Sequence, residues 1–341
     1  MGKLGFRRAL LFLVVAALVA AAPSAEASRG RQVKVMTWNV FADIDLGPLI
    51  VTPPGPQFDQ LGSSIFSGLE ARDPNGRMKL IADEIARVKP DVVGLQEVPL
   101  WRTGSPPAST VAFDFLGTIR TELARKHASY RVAAVKQPFD LEFPTDRGFD
   151  VRITFGDAML IKRGVKARRV HSRVLRTEQA VQTQAIGVMH RPRVWNEFDA
   201  TVRGVSFHIV NTHLEPRDPN IRRAQASELV KGPLHSRLPT ILLGDLNSSP
   251  TRPEVEQRKA YQVLARAGFK EVGVRKFTCC FLDLAGDSGL DDAPDHIMAR
   301  PKPKVVRSFL VGSERTSTGF HPSDHEAVVA VLVLRRARGQ K

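Results

Sequence analysis

The stretch VSFHIVNTH at residues 205–213 and the stretch TILLGDLN at residues 240–247 share one pattern, an apolar and partly β-branched run that ends in polar residues. The same pattern recurs at residues 33–39 and 92–97. Buried strands contain continuous apolar runs of this kind, and they deliver their polar ends to one edge of a sheet. The sequence therefore predicts a sheet protein whose polar strand ends converge.

Helical patterns lie between the strands. Residues 76–88 repeat apolar side chains at helical spacing and are followed by Pro90, and residues 254–267 form a second predicted helix that ends before Gly268. Further strands are predicted at residues 158–161, 181–189, 197–202, 304–310 and 327–334. Many strands with a few covering helices indicate a layered α/β sandwich.

The predicted domain organisation is a single domain, because the sequence shows no sign of a linker. No internal repeat and no shift in composition marks a linker, so residues 31–335 are predicted to form one domain, followed by a basic tail at residues 336–341. Residues 43–75 are rich in Pro, Gly and Asp and show no sustained periodicity, which predicts a long loop. Residues 104–110 are predicted to form a second loop.

Composition and charge limit the functional classes. The chain has 341 residues, of which 43% are hydrophobic and 25% are charged, as expected of a soluble globular protein and not of a fibrous or disordered one. The formal net charge of +15 is compatible with a nucleic acid or an anionic membrane as partner. Arginines scattered over the chain produce the same total without such a partner, so both interpretations stay open.

The amino terminus has the three parts of a secretory signal peptide. Lys3, Arg7 and Arg8 precede an apolar run over residues 9–22, and the small-residue triplet at residues 25–27 follows. We expect cleavage after Ala27 and a soluble, monomeric product outside the cytoplasm, exported by the general or the twin-arginine route. The apolar run is shorter than the roughly 20 residues that a membrane span needs, which leaves an uncleaved anchor as the lesser alternative.

Cys279 and Cys280 are adjacent and are the only two cysteines of the chain. An oxidising compartment permits a disulfide between neighbours, although the trans peptide holds their Cα atoms closer together than most disulfides prefer. Free thiols and an intermolecular bond stay open as alternatives. Two thiols without His or Cys partners nearby make a poor zinc site.

The polar strand ends and two later segments form six short motifs. They are Trp38-Asn39, Gln96-Glu97, Asn211-Thr212-His213, Asp245-Leu246-Asn247, Asp295-His296-Ile297 and Ser323-Asp324-His325. Each alone is compatible with a turn residue or a buried imidazole. In this order they resemble the endonuclease/exonuclease/phosphatase superfamily, which includes deoxyribonucleases, neutral sphingomyelinases and phosphoinositide phosphatases, over nearly the whole mature chain. The resemblance implies a four-layered α/β sandwich, with two packed and mainly antiparallel sheets flanked by helices, and metal-dependent hydrolysis of phosphoesters.

The resemblance also implies a metal site. Glu97 is the principal ligand, Asn39 assists it, and Asp324 makes a direct or water-mediated contact. Carboxylate and amide oxygens are the donors that Mg²⁺ or Mn²⁺ prefers, whereas a zinc site would show more histidines or thiolates at ligand spacing. The expected cofactor is therefore Mg²⁺ or Mn²⁺.

The remaining motif residues are expected to perform the chemistry. By resemblance, Asp245 orients or deprotonates the attacking water and Asn247 holds the scissile phosphate. His213 and His325 donate hydrogen bonds or protons to phosphoryl oxygens, and Asp295 orients His325. A buried carboxylate fixes the tautomer of an imidazole and raises its proton affinity, so the last pairing is also chemically reasonable.

Three positions depart from the resembled enzymes. Phe41 stands where the abasic-site endonucleases have an acid, Thr154 stands where they have Tyr, and Asp157 stands where many relatives have Asn. These differences disfavour a DNA-repair role. The predicted function is an exported phosphodiesterase that acts on an anionic phosphoester, either nucleic acid or a phospholipid headgroup. The alternative is a catalytically silent binding module that retains the fold.

Overall fold

A computed structural model describes residues 30–335 except Leu282 and Asp287. The strands are β1 (Arg31–Asn39), β2 (Val92–Gly104), β3 (Thr110–Asp114), β4 (Tyr130–Phe143), β5 (Asp150–Lys162), β6 (Lys166–Val174), β7 (Gln179–Gln182), β8 (Val188–Arg191), β9 (Val194–Val202), β10 (Val205–His213), β11 (Thr240–Asp245), β12 (Lys270–Glu271), β13 (Asp295–Arg300), β14 (Lys304–Val311) and β15 (Ala327–Leu334). The helices are α1 (Gly47–Val51), α2 (Pro56–Ala71), α3 (Pro74–Val88), α4 (Phe115–Arg125), α5 (Pro219–Lys231) and α6 (Val255–Arg266). The predicted signal peptide and basic tail lie outside the described residues.

Two large mixed sheets dominate the architecture. The larger sheet has the strand order β14-β15-β1-β2-β5-β4, with β3 paired to β2, and the smaller has the order β12-β13-β11-β10-β9-β6. β1 and β2 run parallel, as do β10 and β11, while the other neighbours within these sheets are antiparallel. This arrangement confirms the predicted α/β sandwich.

The strands alternate their side chains between two apolar layers. Val35 and Ile209 belong to a buried cluster that joins the two sheets. Met36 belongs to a cluster shared with α2, α3 and α4, and Val210 belongs to one shared with α5 and α6. Because successive residues of a strand point to opposite faces, both sheets are covered on both sides. The described residues therefore form four layers, helices, sheet, sheet and helices.

The first predicted helix is confirmed as α3. The side chain of Asp73 accepts a hydrogen bond from the backbone N–H of Gly76 at 3.0 Å, and Pro74 occupies the first helical position. Both features are favourable at a helix start. The helix ends at Lys89 in the left-handed conformation, directly before Pro90.

The prediction of a long loop at residues 43–75 is wrong. This segment contains α1 and the 16-residue α2, whose buried side chains include Phe58, Phe66 and Leu69. Together with Leu61 and Ile65 they recur at helical spacing, so the period is present in the sequence and the Pro, Gly and Asp content of the wider segment was given too much weight. Gly62 faces the same side, and a Cβ there would clash with the carbonyl of Pro144, so the glycine lets α2 approach the loop after β4.

The strand predicted over residues 181–189 is also wrong, because the segment folds into the hairpin of β7 and β8. The turn is closed by the backbone N–H and the hydroxyl of Thr183, which donate to the carbonyl of Gly187 at 2.9 and 2.8 Å. Gly187 has a φ of 76°, which a glycine adopts without strain. None of the described helices is both long and apolar enough to cross a membrane.

Candidate active site

The polar strand ends meet at one edge of the two sheets. The carboxyl ends of β1 and β2 are neighbours, and those of β10 and β11 are neighbours, because each pair is parallel. Asp245, the last residue of β11, lies opposite His213 on one side and opposite Asp295, the first residue of β13, on the other. Strand pairing thus brings together His213, Asp245 and Asp295, which span 82 positions of the sequence.

Glu97 reaches this edge through an irregularity in β2. The pairing of β2 with β5 shifts its register between Leu95 and Val98, and Glu97 has a left-handed φ of 54°. A bulge of this kind redirects a side chain and is common beside active sites. One carboxylate oxygen of Glu97 accepts the backbone N–H of Ala42 at 2.9 Å, and the other lies 3.8 Å from Nδ1 of His213.

His325 and Asp295, predicted as a pair, are in contact. Nδ1 of His325 lies 2.7 Å from Oδ2 of Asp295, and the buried hydroxyl of Thr278 donates to the same oxygen at 2.6 Å. Burial by itself lowers the pKa of His325, but the carboxylates of Asp295 and Asp324 outweigh it and hold this pKa well above its usual value. The imidazole is therefore protonated, and its Nε2 faces the cleft.

His213 has the opposite charge state. Burial first, and then the guanidinium of Arg193, keep its pKa well below the usual value, so the ring is neutral. Nη1 of Arg193 lies 3.1 Å from Nδ1, and the amide nitrogen of Asn247, oriented by its bond to Leu214 O, lies 2.9 Å from Nε2. A neutral imidazole accepts at one nitrogen only. The cleft therefore has one N–H donor more than the ring can use, which suits an anionic oxygen.

Asp245 lies between the two histidines. Its Oδ2 is 3.5 Å and 3.9 Å from their Nε2 atoms. Its carboxylate accepts the backbone N–H of Asn247 at 2.8 Å and the side-chain amide of Asn39 at 3.1 Å. Burial, together with the nearby Asp295, raises the pKa of Asp245 to about 6. A fixed carboxylate between a neutral and a protonated imidazole is an arrangement suited to general acid–base chemistry.

The family model described as Endonuclease/Exonuclease/phosphatase family matches residues 36–325. The chain belongs to this family. Enzymes of the family hydrolyse phosphoester bonds and generally depend on a divalent metal ion. No curated protein matches the chain significantly.

Several solved structures are similar to this chain. An endonuclease/exonuclease/phosphatase family protein from Bacteroides thetaiotaomicron has a TM-score of 0.57 at 17% identity, covering 90% of this chain and 96% of its own. A mannosyl-6-phosphatase from the same organism has a TM-score of 0.52 at 18% identity, covering 89% and 100%. TDP2 from D. rerio, complexed with a single-strand DNA product, has a TM-score of 0.51 at 17% identity, covering 89% and 99%. At these identities the likeness shows the fold alone.

The oxygen donors expected from the family pattern fit a divalent cation. Burial, with a contribution from Glu97, raises the pKa of Asp324 to about 6. Crowded carboxylates that disfavour their own ionisation are stabilised when a cation binds between them. Asn39 adds an amide oxygen, which also accepts the backbone N–H of Phe41 at 3.0 Å. The donor set of Asn39, Glu97 and Asp324 is therefore chemically suited to Mg²⁺ or Mn²⁺.

Two other groups of potential ligands are less suited. Asp245, Asp295 and His325 have ligand atoms within 4.8 Å of one another, but His325 is protonated and its partner oxygen on Asp295 already accepts two hydrogen bonds. Cys279 and Cys280 lie near His325 as well, but a disulfide joins the two thiols. This disulfide is one of the states left open by the sequence.

Three buried residues beside the cleft have no counterpart among the motifs. Arg191 and Arg193 are 7% and 8% exposed, and Glu215, which lies 3.6 Å and 3.7 Å from them, is fully buried. The only sequence signal is weak, since Glu215 follows the motif of His213 by two residues and Arg193 belongs to no motif. Arg193 precedes β9 and contacts His213 because β9 pairs with β10, the strand that ends at His213.

Asp157, one of the three departures, is buried, and its Oδ2 has no hydrogen-bond partner among the described residues. Burial, more than any neighbouring charge, raises the pKa of Asp157 well above its usual value. The nearby carboxylates of Glu97 and Asp245 raise this pKa further.

Proposed function

We propose that this chain is an exported, divalent-metal-dependent phosphodiesterase. The single observation that supports it best is the position of Asp245, whose Oδ2 lies 3.5 Å and 3.9 Å from the Nε2 atoms of His213 and His325. Membership of the family supports hydrolysis of a phosphoester. The surplus of N–H donors around His213 supports an anionic oxygen as the group bound there.

Each side chain then has a definite task. Asp245 orients the attacking water and accepts its proton, because it is fixed by Asn39 and Asn247. His325 donates a proton to the leaving oxygen from Nε2, while Asp295 holds the ring in place. These are the tasks that the sequence resemblance assigned to the same residues.

The non-bridging oxygens of the substrate need fixed donors. The amide of Asn247 and the neutral ring of His213 provide hydrogen bonds, and Arg193 adds a positive charge beside them. Donors that are fixed before the reaction stabilise developing charge without a cost in reorganisation. His213 therefore binds an oxygen and does not act as the acid.

The metal ion would be held by Glu97, Asn39 and Asp324. When bound, it supplies charge neutralisation and polarisation of the phosphoryl oxygens. Glu97 is an accessible ligand, because its side chain is 24% exposed and its Oε1 lies 3.8 Å from Nδ1 of His213, beyond hydrogen-bond distance.

A panel of substrates tests the proposal. We expect hydrolysis of at least one member among double-stranded DNA, RNA, sphingomyelin, phosphoinositides and bis(p-nitrophenyl) phosphate in the presence of Mg²⁺ or Mn²⁺. Activity is expected to disappear with a chelator and to return with added metal. Hydrolysis of none of these substrates by folded, metal-loaded protein would favour the silent binding module.

A further inference from the structure

A strongly basic hollow lies outside the candidate active site. It has a volume of about 1080 Å³ and is bounded by the end of β6, by α5 and by α6. We call it the basic hollow. Its five cationic side chains are exposed, and none makes an ion pair within the described part of the chain. They are Arg173, Arg176, Arg223, Lys231 and Arg266.

Glu228 is the one carboxylate that lines the basic hollow, and it forms no ion pair with these cationic side chains among the described residues. Glu228 accepts the backbone N–H of Arg176 with both oxygens, at 3.1 and 3.0 Å. Elsewhere on the surface, by contrast, Arg147 pairs with Glu70 and Arg169 pairs with Asp199. The basic hollow therefore has an excess of positive charge in a concave site, where charge of one sign concentrates the potential.

Local reasons explain only some of these cations. β6 is the edge strand of the smaller sheet, and charges such as Arg173 prevent an edge from pairing with another chain. Lys231 and Arg266 lie in the last turns of α5 and α6, where cations interact favourably with the helix dipole. Neither reason applies to Arg223, which lies near the amino end of α5. Neither reason explains why three elements direct cations into one concavity.

The basic hollow adjoins the cleft. Trp195 lines the basic hollow and pairs with Thr212, the residue before His213. Arg193, which contacts His213, precedes Trp195 by two residues, a strand distance of about 7 Å. The pairing of Trp195 with the residue before His213 therefore places one wall of the basic hollow next to the cleft.

We propose that the basic hollow binds the phosphates of a nucleic-acid strand next to the phosphate that lies in the cleft. This inference rests on the proposed function and names its substrate class. Cations that follow a backbone are the main determinant of sequence-independent binding to nucleic acid. A lipid surface fits less well, because the cations line a concavity and the aromatic residue there, Trp195, is only 9% exposed.

The test compares two sets of substitutions. The first is the triple variant Arg173→Gln, Arg223→Gln, Arg266→Gln. The control is Lys302→Gln with Lys304→Gln, which removes two exposed cations beside β14, at the opposite end of the sandwich from β6. Binding of a fluorescent single-stranded oligonucleotide is measured in chelator as the salt concentration increases, and hydrolysis of oligonucleotide and of bis(p-nitrophenyl) phosphate is measured with metal.

We expect the triple variant to bind the oligonucleotide about ten-fold or more weakly at low salt, with a log–log salt slope shallower by about 2, because three phosphate contacts are lost. The control is expected to match the wild type. Bis(p-nitrophenyl) phosphate has no second phosphate, so its hydrolysis reports on the cleft alone. Failure of the proposed function would show as no hydrolysis of either this diester or the oligonucleotide. Oligonucleotide binding measured in chelator still reports on the basic hollow if the protein hydrolyses neither substrate.

Two results would overturn the inference. One is a triple variant with the oligonucleotide affinity and salt slope of the wild type. The other is unchanged oligonucleotide binding with a loss of binding to vesicles of phosphatidylcholine and phosphatidylserine, which would assign the basic hollow to a membrane surface. If the triple variant melts at a lower temperature, Arg173→Gln and Arg223→Gln alone should each make the slope shallower by about 0.7.

Discussion

His325 and His213 lie on either side of Asp245, and the charges of their neighbours differ. Asp295 holds the ring of His325 at 2.7 Å, whereas Arg193 approaches the ring of His213 at 3.1 Å. A carboxylate favours a protonated imidazole, and a guanidinium favours a neutral one. We therefore expect Asp295 to act through His325.

The substitutions Asp295→Asn and His325→Ala test this dependence. Each is expected to lower kcat by about 100-fold to 10,000-fold, the usual contribution of a general acid or base. The double variant should be little slower than His325→Ala alone, because the carboxylate has no separate task. The four rates are measured on the best substrate, with melting temperatures alongside.

Independent roles would give a different result. If the two losses multiply, Asp295 and His325 do not form a catalytic pair. If Asp295→Asn lowers the melting temperature and leaves the rate unchanged, the carboxylate only stabilises the loop that contains Thr278, whose hydroxyl donates a hydrogen bond to it.

At the scale of single residues, the sequence predicted the members of the candidate site that end strands or belong to short motifs. The predicted pair of Asp295 and His325 lies in contact, and Asp245 lies between both histidines. Arg193 was not predicted, because its contact with His213 spans 20 positions and follows from the pairing of β9 with β10. No local pattern in the sequence encodes such a contact.

Among the elements, the sequence located strands better than their ends. A strand was predicted to end where Gln96 and Glu97 begin, but β2 continues to Gly104 through the bulge. Polar residues usually mark a strand end, yet Gln96 is fully buried and donates to the side chain of Asn211 at 2.6 Å. Polarity that is satisfied by a distant partner therefore misleads a local interpretation.

β9 and β10 are joined by a charged contact that should make stability depend on pH. Nδ1 of His208 lies 2.9 Å from Asp199, and Nε2 lies 3.3 Å from Glu197 and 2.9 Å from Pro233 O. Burial lowers the pKa of His208, but the two carboxylates outweigh it and raise this pKa above 6.5. The stabilisation is therefore complete below about pH 6.5 and is lost as the pH rises through the raised pKa of the folded state.

The variant His208→Gln should consequently lower the melting temperature more at pH 5.5 than at pH 9. The difference is expected to be about 2 °C, which corresponds to roughly 1 kcal/mol in a domain of this size. His235→Gln, at an exposed histidine, is the control. An effect of His208→Gln that is equal at both pH values would show that the imidazole packs between the strands without contributing as a cation.

On the scale of the whole molecule, the four-layered order follows from alternating apolar positions and was predictable with the family resemblance. The helices within residues 43–75 were missed, because the Pro, Gly and Asp content of the segment was given more weight than the helical spacing of the apolar residues in α2. The grouping of cations in the basic hollow was beyond the sequence, since Arg173, Arg223 and Arg266 come from separate elements. Net charge alone does not tell grouped arginines from scattered ones.

Export is a separate property of the whole chain and remains a prediction. We expect the mature protein to begin near Ser28, because the triplet at residues 25–27 closes a charged and then apolar leader. Amino-terminal sequencing of protein from the external fraction checks this. Recovery of an intact Met1 in a membrane fraction would contradict cleavage.

The central claim is that the strand ends form a metal-dependent hydrolytic site organised around Glu97. The most direct test is the rate of bis(p-nitrophenyl) phosphate hydrolysis as Mg²⁺ or Mn²⁺ is titrated into chelator-treated protein, for the wild type and for Glu97→Gln. Because the substitution removes a negative charge and little volume, the variant should stay folded and need more metal to reach a lower maximal rate. A wild type that is fully active in chelator, or a variant with the wild-type rate and metal dependence, would contradict the claim.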